Sequence, residues 1–181
     1  MSIKEYYNQE VRKKMMKDLN IANQLAVPGV LKIVVNVGAG EAVTNKGVIA
    51  KIQEQVQTIT GQKTVVTKAR RSVSAFKIRE GLPIGVKVTL RGKYMYDFLE
   101  KLIKIVIPRL KDFRGVKVSS VDNHGNLNIG FTEQTIFPEI EFDKIDKIRG
   151  LQVTVVTNSK SHEIGRKLFE TLGIPFVKSA P

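Results

Sequence analysis

A cluster of positively charged side chains lies between Gln62 and Lys93 and is the part of the sequence best suited to binding a ligand. Glu80 is the one acidic residue in this window. Because like charges repel one another in a folded chain, such a cluster favours a polyanionic partner that neutralises it. The cations of the window are Lys63, Lys68, Arg70, Arg71, Lys77, Arg79, Lys87, Arg91 and Lys93.

Two side-chain types in this window suit RNA in particular. The planar guanidinium groups of Arg70, Arg71 and Arg79 can donate paired hydrogen bonds to phosphate oxygens. Phe76 lies between cations, and an aromatic ring in such a place can stack on an unpaired base. The alternative is a basic loop that is merely solvated, with Phe76 packed into the core.

Residues that could carry catalysis or bind a metal are sparse. The sequence has two histidines and no cysteine. His124 falls in a dense turn signal, and Ser161-His162-Glu163 is contiguous at a helix start, whereas catalytic triads are assembled in space. No histidine pair or carboxylate cluster has the spacing of metal ligands. We therefore predict no catalytic residue, no metal, no cofactor and no small-molecule substrate.

The glycine-rich segment from Gly38 to Glu41 resembles a phosphate-binding turn between a strand and a helix. However, Val43 stands where a third glycine would be needed, and Glu41 would bring negative charge beside the phosphates. A turn that requires small residues is therefore the favoured interpretation. The alternative is an RNA-modifying or nucleotide-using enzyme, which would be stabilised against heat by a bound nucleotide.

The basic window divides into a loop and a strand. Residues Thr67 to Pro83 show no sustained periodicity and include a Gly-Leu-Pro sequence, which is typical of a long loop. Apolar and polar residues alternate from Gly85 to Gly92, which predicts a strand with one buried face and one face that carries Lys87, Thr89 and Arg91.

Periodicity predicts further strands and helices around this window. The further strands are Lys32–Gly38, Gln62–Lys68, Leu127–Phe131 and Leu151–Thr157. The helices are Ile3–Leu19, Lys46–Thr60, Lys93–Leu110 and Ser161–Leu172. The first helix has a basic side that includes Lys13 and Lys14, and this side either contacts RNA or is simply solvated.

The polar faces of the predicted strands share cationic, amide and hydroxyl groups, which suit phosphate and 2′-hydroxyl contacts. Their apolar faces can form one core under helices. We therefore predict an α+β fold with an open mixed or antiparallel sheet of about five strands, helices on one face and the other face open. We predict one domain over residues 1–181, with a long basic loop at 68–84. The residues of the polar face are Lys32, Asn36, Lys87, Thr89, Arg91, Asn128, Gln152 and Thr154.

The net charge of +13 indicates nucleic acid or an anionic membrane surface as the partner. No apolar run approaches the roughly 20 residues of a membrane-spanning helix, and the N-terminus lacks the apolar region of a signal peptide. The cations lie in a loop and on a strand face rather than on one amphipathic helix, which disfavours a membrane-surface protein. Together with the absence of cysteine, these features predict a cytoplasmic protein without a membrane partner.

Six sequence motifs follow one another along the chain. The longest is TKARRSVSAFKIREGLPIGVKVTLRG at 67–92. The others are VNVGAGEA at 35–42, ITGQK at 59–63, IPRLKDFRG at 107–115, FPEI at 137–140 and KIRGLQVTVVT at 147–157. No single motif is decisive, but the ordered set covers nearly the whole chain and resembles the bacterial ribosomal protein L5 family of the large subunit.

The resemblance implies a structural ribosomal protein whose concave sheet face binds 5S rRNA in the central protuberance, beside large-subunit rRNA. It implies that the loop at 68–83 reaches peptidyl-site tRNA, and that another surface bridges to protein S13 of the small-subunit head. Because S13 is basic in that family, the acidic stretch from Glu133 to Asp146 is the candidate for that bridge. Asn36, Gln62, Phe76 and Thr89 match the motifs that contact 5S rRNA.

Charge and resemblance together give two predicted sets of RNA-contacting residues. The 5S rRNA set is Lys13, Lys14, Lys32, Asn36, Gln62, Lys63, Phe76, Lys87, Thr89 and Arg91. The tRNA set is Lys68, Arg70, Arg71, Ser72, Lys77 and Arg79.

Overall fold

A computed structural model of the protein describes residues 2–45, 47–110, 113–141 and 145–177. The strands in these ranges are β1 (Val30–Gly38), β2 (Val65–Lys68), β3 (Pro83–Leu90), β4 (Leu127–Phe131) and β5 (Leu151–Thr157). They form an open sheet in the order β2-β3-β1-β5-β4. This sheet and its accompanying helices confirm the predicted α+β class.

Neighbouring strands run antiparallel where their pairing can be followed. On β2 and β3, Val65 lies opposite Lys87 and Val66 opposite Val86. On β4 and β5, the Thr154 hydroxyl donates to the side-chain oxygen of Asn128 at 2.7 Å. Gly150, just before β5, approaches the carbonyl oxygen at the far end of β4, so the two strands run in opposite directions.

The alternation predicted for the strands is confirmed by their burial. On β3, Val86, Val88 and Leu90 are buried, while Lys87 is exposed and Thr89 is half-buried. The same alternation recurs on β1, β4 and β5. Since side chains point to opposite faces at successive positions, one face of each strand belongs to the core and the other remains accessible.

Four helices lie in the described ranges, and two of them contain a π-helical turn. They are α1 (residues 3–18, composed of Ile3–Tyr6, Tyr7–Val11 and Arg12–Asp18), α2 (Gly47–Thr60), α3 (residues 92–109, composed of Gly92–Lys101, Leu102–Val106 and Ile107–Arg109) and α4 (His162–Thr171). The predicted start of α2 at Lys46, and Asp143 and Lys144 of the acidic stretch, lie outside the described residues.

The backbone groups into two compact units, so the single-domain organisation stays a prediction. The first unit comprises Met1–Ile33, Arg91–Ile129 and Thr154–Pro181, and the second comprises Val34–Leu90 and Gly130–Val153. In the first unit α1 packs on α3 and α4, and in the second unit α2 packs on β2 and β3. Each helix buries an apolar stripe, which is the main source of helix stability in a folded protein.

The connection between β2 and β3 is shorter and more ordered than the predicted loop at 68–84. Lys68 pairs with Pro83 as part of the two strands, which leaves residues 69–82 as the connection. Within it, the amide of Val73 donates to the carbonyl of Ile78 at 2.8 Å, and the amide of Ile78 donates back at 3.1 Å. These backbone bonds hold the two limbs together, so the segment is a hydrogen-bonded arm. We refer to residues 69–82 as the basic arm.

Candidate nucleic-acid interface

The accessible face of the sheet in the second unit carries several predicted RNA contacts. Asn36 on β1 and Lys87 on β3 are exposed, and Thr89 on β3 is half-buried. Val65, which is 58% exposed, lies opposite Lys87 on β2. This face therefore offers a cation, an amide, a hydroxyl and an apolar surface, which suit phosphates, ribose hydroxyls and base faces in turn.

Gln62 joins this face through a contact that the sequence did not reveal. Its side-chain amide donates to the carbonyl oxygen of Thr89, with an Nε2–O distance of 3.0 Å. The bond braces the turn after α2 against β3 and fixes the orientation of the Gln62 side chain. The side-chain oxygen Oε1 of Gln62 accepts no hydrogen bond from the described residues, so it remains an acceptor for a ligand. Lys63, the next residue, is exposed.

The first unit holds four basic members of the predicted 5S rRNA set. Lys13 and Lys14 are exposed on α1. Lys32, near the start of β1, is half-buried, whereas Arg91 is exposed immediately before α3. The exposure of Lys13 and Lys14 is required both for contact with RNA and for simple solvation. Their contact with RNA therefore stays a prediction.

Every member of the predicted tRNA set is exposed. Lys68 lies at the end of β2, and the other members lie in the basic arm. Ser72 accepts a hydrogen bond from the backbone amide of Glu80 at 3.0 Å, and this bond again joins the two limbs. Lys77 adopts a left-handed backbone conformation with φ of 54° and ends the short helical turn that presents Phe76. The other exposed members are Arg70, Arg71 and Arg79.

Phe76 is 72% exposed, which is incompatible with the alternative that placed its ring in the core. Val73 in the same arm is 40% exposed. Exposed apolar side chains in a strongly cationic segment lose free energy in water unless a partner covers them. The faces of RNA bases could cover the Phe76 ring, and the cations around it would neutralise the accompanying phosphates.

The cations of the interface are not neutralised within the described part of the chain. Ion pairs between described residues involve cations elsewhere, such as Lys51, Lys104 and Lys167. None involves a member of either RNA-contacting set. These side chains therefore keep their full charge available for an external polyanion.

Glu41, by contrast, belongs to a tight ionic cluster in the second unit. Arg149 donates from Nε to Glu41 Oε1 at 2.6 Å and from both terminal nitrogens to Asp146 at 2.8 and 3.2 Å. Lys147 adds a 3.0 Å contact to Glu41, and Gln134 accepts the Arg149 backbone amide. The glycine-rich turn therefore carries a fixed carboxylate, which disfavours phosphate binding there and supports the structural interpretation of this turn.

This cluster lowers the pKa of its carboxyl groups. Hydrogen bonds from Arg149 hold the pKa of Asp146 well below its usual range, against the opposing effect of burial. Hydrogen bonds from Arg149 and then from Lys147 lower the pKa of Glu41. In both groups the folded pKa lies below the unfolded pKa of about 4. Their stabilisation is therefore complete above about pH 4 and is lost as the pH falls through that value towards the lower folded pKa.

We expect the Asp146→Asn substitution to reduce the acid sensitivity of the fold. The wild-type melting temperature should fall more between pH 5 and pH 3 than that of the variant, because the variant has lost one carboxylate with a depressed pKa. Thermal melting followed by circular dichroism at pH 5, 4 and 3 measures both. An equal fall in the two proteins would contradict a stabilising Asp146 carboxylate.

Two further features of the structure have no recognisable signal in the sequence. The first is the ionic cluster of Arg149, which is 108 residues from its partner Glu41 in the sequence, so no local pattern predicts the contact. Arg12 lies over the ring of Tyr7, a contact that helical spacing alone does not specify because it depends on the side-chain rotamers.

The described ranges contain neither a metal-ligand cluster nor a membrane-spanning helix. No group of three or more His, Asp or Glu side chains there could hold a metal ion. Among the helices described, none has both the length and the apolar character needed to cross a bilayer.

Comparison with known proteins assigns the family. The model of ribosomal protein L5 matches residues 23–79, and the model of the C-terminus of the ribosomal L5 family matches residues 83–176. Large ribosomal subunit protein uL5 of Synechococcus sp. (strain RCC307) is 51% identical over 176 residues, which are 97% of this chain and 98% of that protein. The uL5 of Desulfotalea psychrophila (strain LSv54 / DSM 12343) is 48% identical over 177 residues, with 98% and 99% coverage. This chain therefore belongs to the ribosomal protein L5 family of the large ribosomal subunit.

Proposed function

We propose that the protein binds 5S rRNA, alongside large-subunit rRNA, and seats it in the central protuberance of cytoplasmic ribosomes. One observation carries the proposal: the sheet face and the basic arm expose cations that no described acid neutralises, next to amide and hydroxyl groups. The binding would be structural rather than catalytic, since complementarity of charge and shape is sufficient for an RNA scaffold.

On the sheet face, each side-chain type would have a separate role. Lys87 would contact phosphate, because its ammonium is exposed and unpaired among the described residues. Asn36 and Thr89 would hydrogen-bond ribose hydroxyls or base edges, for which an amide and a hydroxyl can both donate and accept. The hydrogen bond from Gln62 to the Thr89 carbonyl would hold the Gln62 side chain against β3 before RNA binds. A preorganised site loses less conformational entropy on binding.

The basic arm would contact peptidyl-site tRNA through Arg70, Arg71 and their neighbours. Its internal hydrogen bonds support this proposal, because an arm that is already ordered does not need to fold on the RNA. Phe76 stands in the short turn between the limbs and is assigned to 5S rRNA by its motif, where its ring would stack on an unpaired base.

The bridge to protein S13 would use the acidic stretch. Asp146 is already engaged by Arg149 and Lys51. A basic partner would meet the exposed carboxylates of the stretch, among which Glu133 forms no ion pair with the described residues. The charge of these carboxylates suits a basic protein, and rim charges of this kind affect the association rate more than the affinity.

We expect Lys87→Ala and Phe76→Ala to weaken 5S rRNA binding in distinguishable ways. Lys87→Ala should lower the slope of log affinity against log salt by about one, since one phosphate contact is lost. Phe76→Ala should lower the affinity roughly ten- to a hundredfold with an unchanged slope, because stacking releases no counterion. Fluorescence anisotropy with labelled 5S rRNA at several salt concentrations measures both quantities.

Lys117→Ala is the matched control for these variants. Lys117 is also exposed but lies outside both RNA-contacting sets, so its loss should leave the slope at the wild-type value. If all three variants bind as the wild type does, the proposed sheet-face interface is wrong. If the wild-type protein fails to bind 5S rRNA at low salt, the proposed function itself is wrong.

A further inference from the structure

Tyr7 in the first unit forms a fixed aromatic platform beneath Arg12. Tyr7 is buried, and its hydroxyl donates to the carbonyl oxygen of Pro28 at 2.9 Å. A Cβ atom at Gly29 would lie 2.7 Å from that hydroxyl oxygen, so the chain entering β1 also encloses the ring. The ring therefore has little freedom to move, and whatever stacks on it is held in a defined place.

The Arg12 guanidinium stacks on this platform without using its hydrogen-bond donors. Its central carbon lies 5.1 Å from the centre of the Tyr7 ring, which is within the range of a cation–π contact. Its Nε is buried and has no hydrogen-bond partner. The terminal nitrogens bond to none of the described residues, and because Arg12 is only half-buried they reach solvent. The buried Nε donor is therefore unsatisfied, which costs free energy, whereas the terminal nitrogens are hydrated and accessible to a ligand.

The helix that carries Arg12 presents further cations to solvent. Lys13, Lys14 and Lys17 on the same helix are exposed. Asp18 is turned to Lys167, with a carboxylate–ammonium distance of 3.5 Å. Glu10 is two positions from Arg12, a spacing that does not bring side chains together on a helix. Among the described acids, none forms an ion pair with Arg12.

We propose that Arg12 binds an RNA phosphate, with the Tyr7 ring as its positioning platform. This inference rests on the proposed 5S rRNA binding and adds a residue to it. A guanidinium stacked by its face leaves its edge free for two parallel bonds to phosphate oxygens, which a lysine cannot make. Stacking also restricts the rotamers of a long side chain before binding, so less entropy is lost when the phosphate arrives.

The test compares three substitutions in the full-length protein bound to labelled 5S rRNA at several salt concentrations. Arg12→Met removes the charge and keeps an apolar side chain on Tyr7. Arg12→Lys keeps the charge and removes the planar fork. Lys117→Ala removes an exposed cation that lies outside both RNA-contacting sets, so it is the control for the loss of one charge. Circular dichroism melting establishes that each variant is folded at the binding temperature.

We expect Arg12→Met to lower the salt slope by about one and the low-salt affinity by about tenfold. Arg12→Lys should keep the wild-type slope but bind more weakly than the wild type, and Lys117→Ala should bind as the wild type does. If Arg12→Met has the wild-type slope and affinity while Lys87→Ala is impaired, the Arg12 inference is wrong and the proposed function stands. If Arg12→Lys binds as tightly as wild type, the stacked fork has no role and the inference also fails. Failure of the wild-type protein to bind would overturn the proposed function instead.

Discussion

The affinity of this protein for 5S rRNA is expected to fall by about a thousandfold between 50 and 200 mM monovalent salt. The 5S rRNA set contains six cations, and each phosphate that a cation neutralises releases counterions from the RNA. A protein with about six phosphate contacts therefore has a slope of about −5 on a plot of log affinity against log salt. The six are Lys13, Lys14, Lys32, Lys63, Lys87 and Arg91.

The measurement is a set of binding isotherms from 50 to 200 mM potassium chloride at constant pH. A triple variant that replaces Lys63, Lys87 and Arg91 with Ala provides the matched comparison, because it keeps Lys13, Lys14 and Lys32 and should halve the slope. A slope near zero in the wild-type protein would exclude phosphate neutralisation as the basis of binding. A triple variant with the wild-type slope would place the phosphates elsewhere on the protein.

The second large effect concerns stability. Arg149→Met should lower the free energy of unfolding by about 2–3 kcal/mol, since it leaves the carboxylates of Glu41 and Asp146 without their main partner. The Arg149 side chain is only 8% exposed, whereas the two carboxylates are each 30% exposed, so water replaces part of the lost bonds. Urea denaturation followed by circular dichroism measures the change.

Lys51→Met is the control for this stability prediction. Lys51 also contacts Asp146, at 3.3 Å, but its side chain is 60% exposed. Exposed ion pairs contribute about 1 kcal/mol or less, because water competes for both charges. Comparable losses from the two variants would show that burial does not set the energy of this cluster. An Arg149→Met protein as stable as the wild type would show that the cluster is not stabilising at all.

In the second unit, the residues that stabilise the fold differ from those proposed to contact RNA. Glu41 and Arg149 hold the glycine-rich turn and the segment after the acidic stretch together, whereas the RNA-contacting set lies on the sheet face and the basic arm. We therefore expect Lys51→Met to leave 5S rRNA affinity unchanged.

The alternation of residues along the strands was readable from the sequence. Successive residues on a strand point to opposite sides of the sheet. The alternation along β3 therefore predicts that Val86 and Val88 face the core, and that Lys87 and Thr89 face the other side. The location of the basic arm was also readable, because glycine, proline and clustered cations interrupt that alternation. The strand ends were less accurate: Lys68 and Pro83 pair with each other, which depends on how two separate segments meet.

The sequence by itself therefore determined the strand faces, the excess of cations and the family, because all three are properties of residue order and composition. Only the tertiary structure decided that Phe76 is exposed, that Glu41 is bound by Arg149, and that Arg12 rests on Tyr7. These outcomes depend on side chains brought together from distant positions and on their rotamers. Local periodicity predicts which face of a strand or helix a side chain lies on, but it does not predict which residues that side chain contacts.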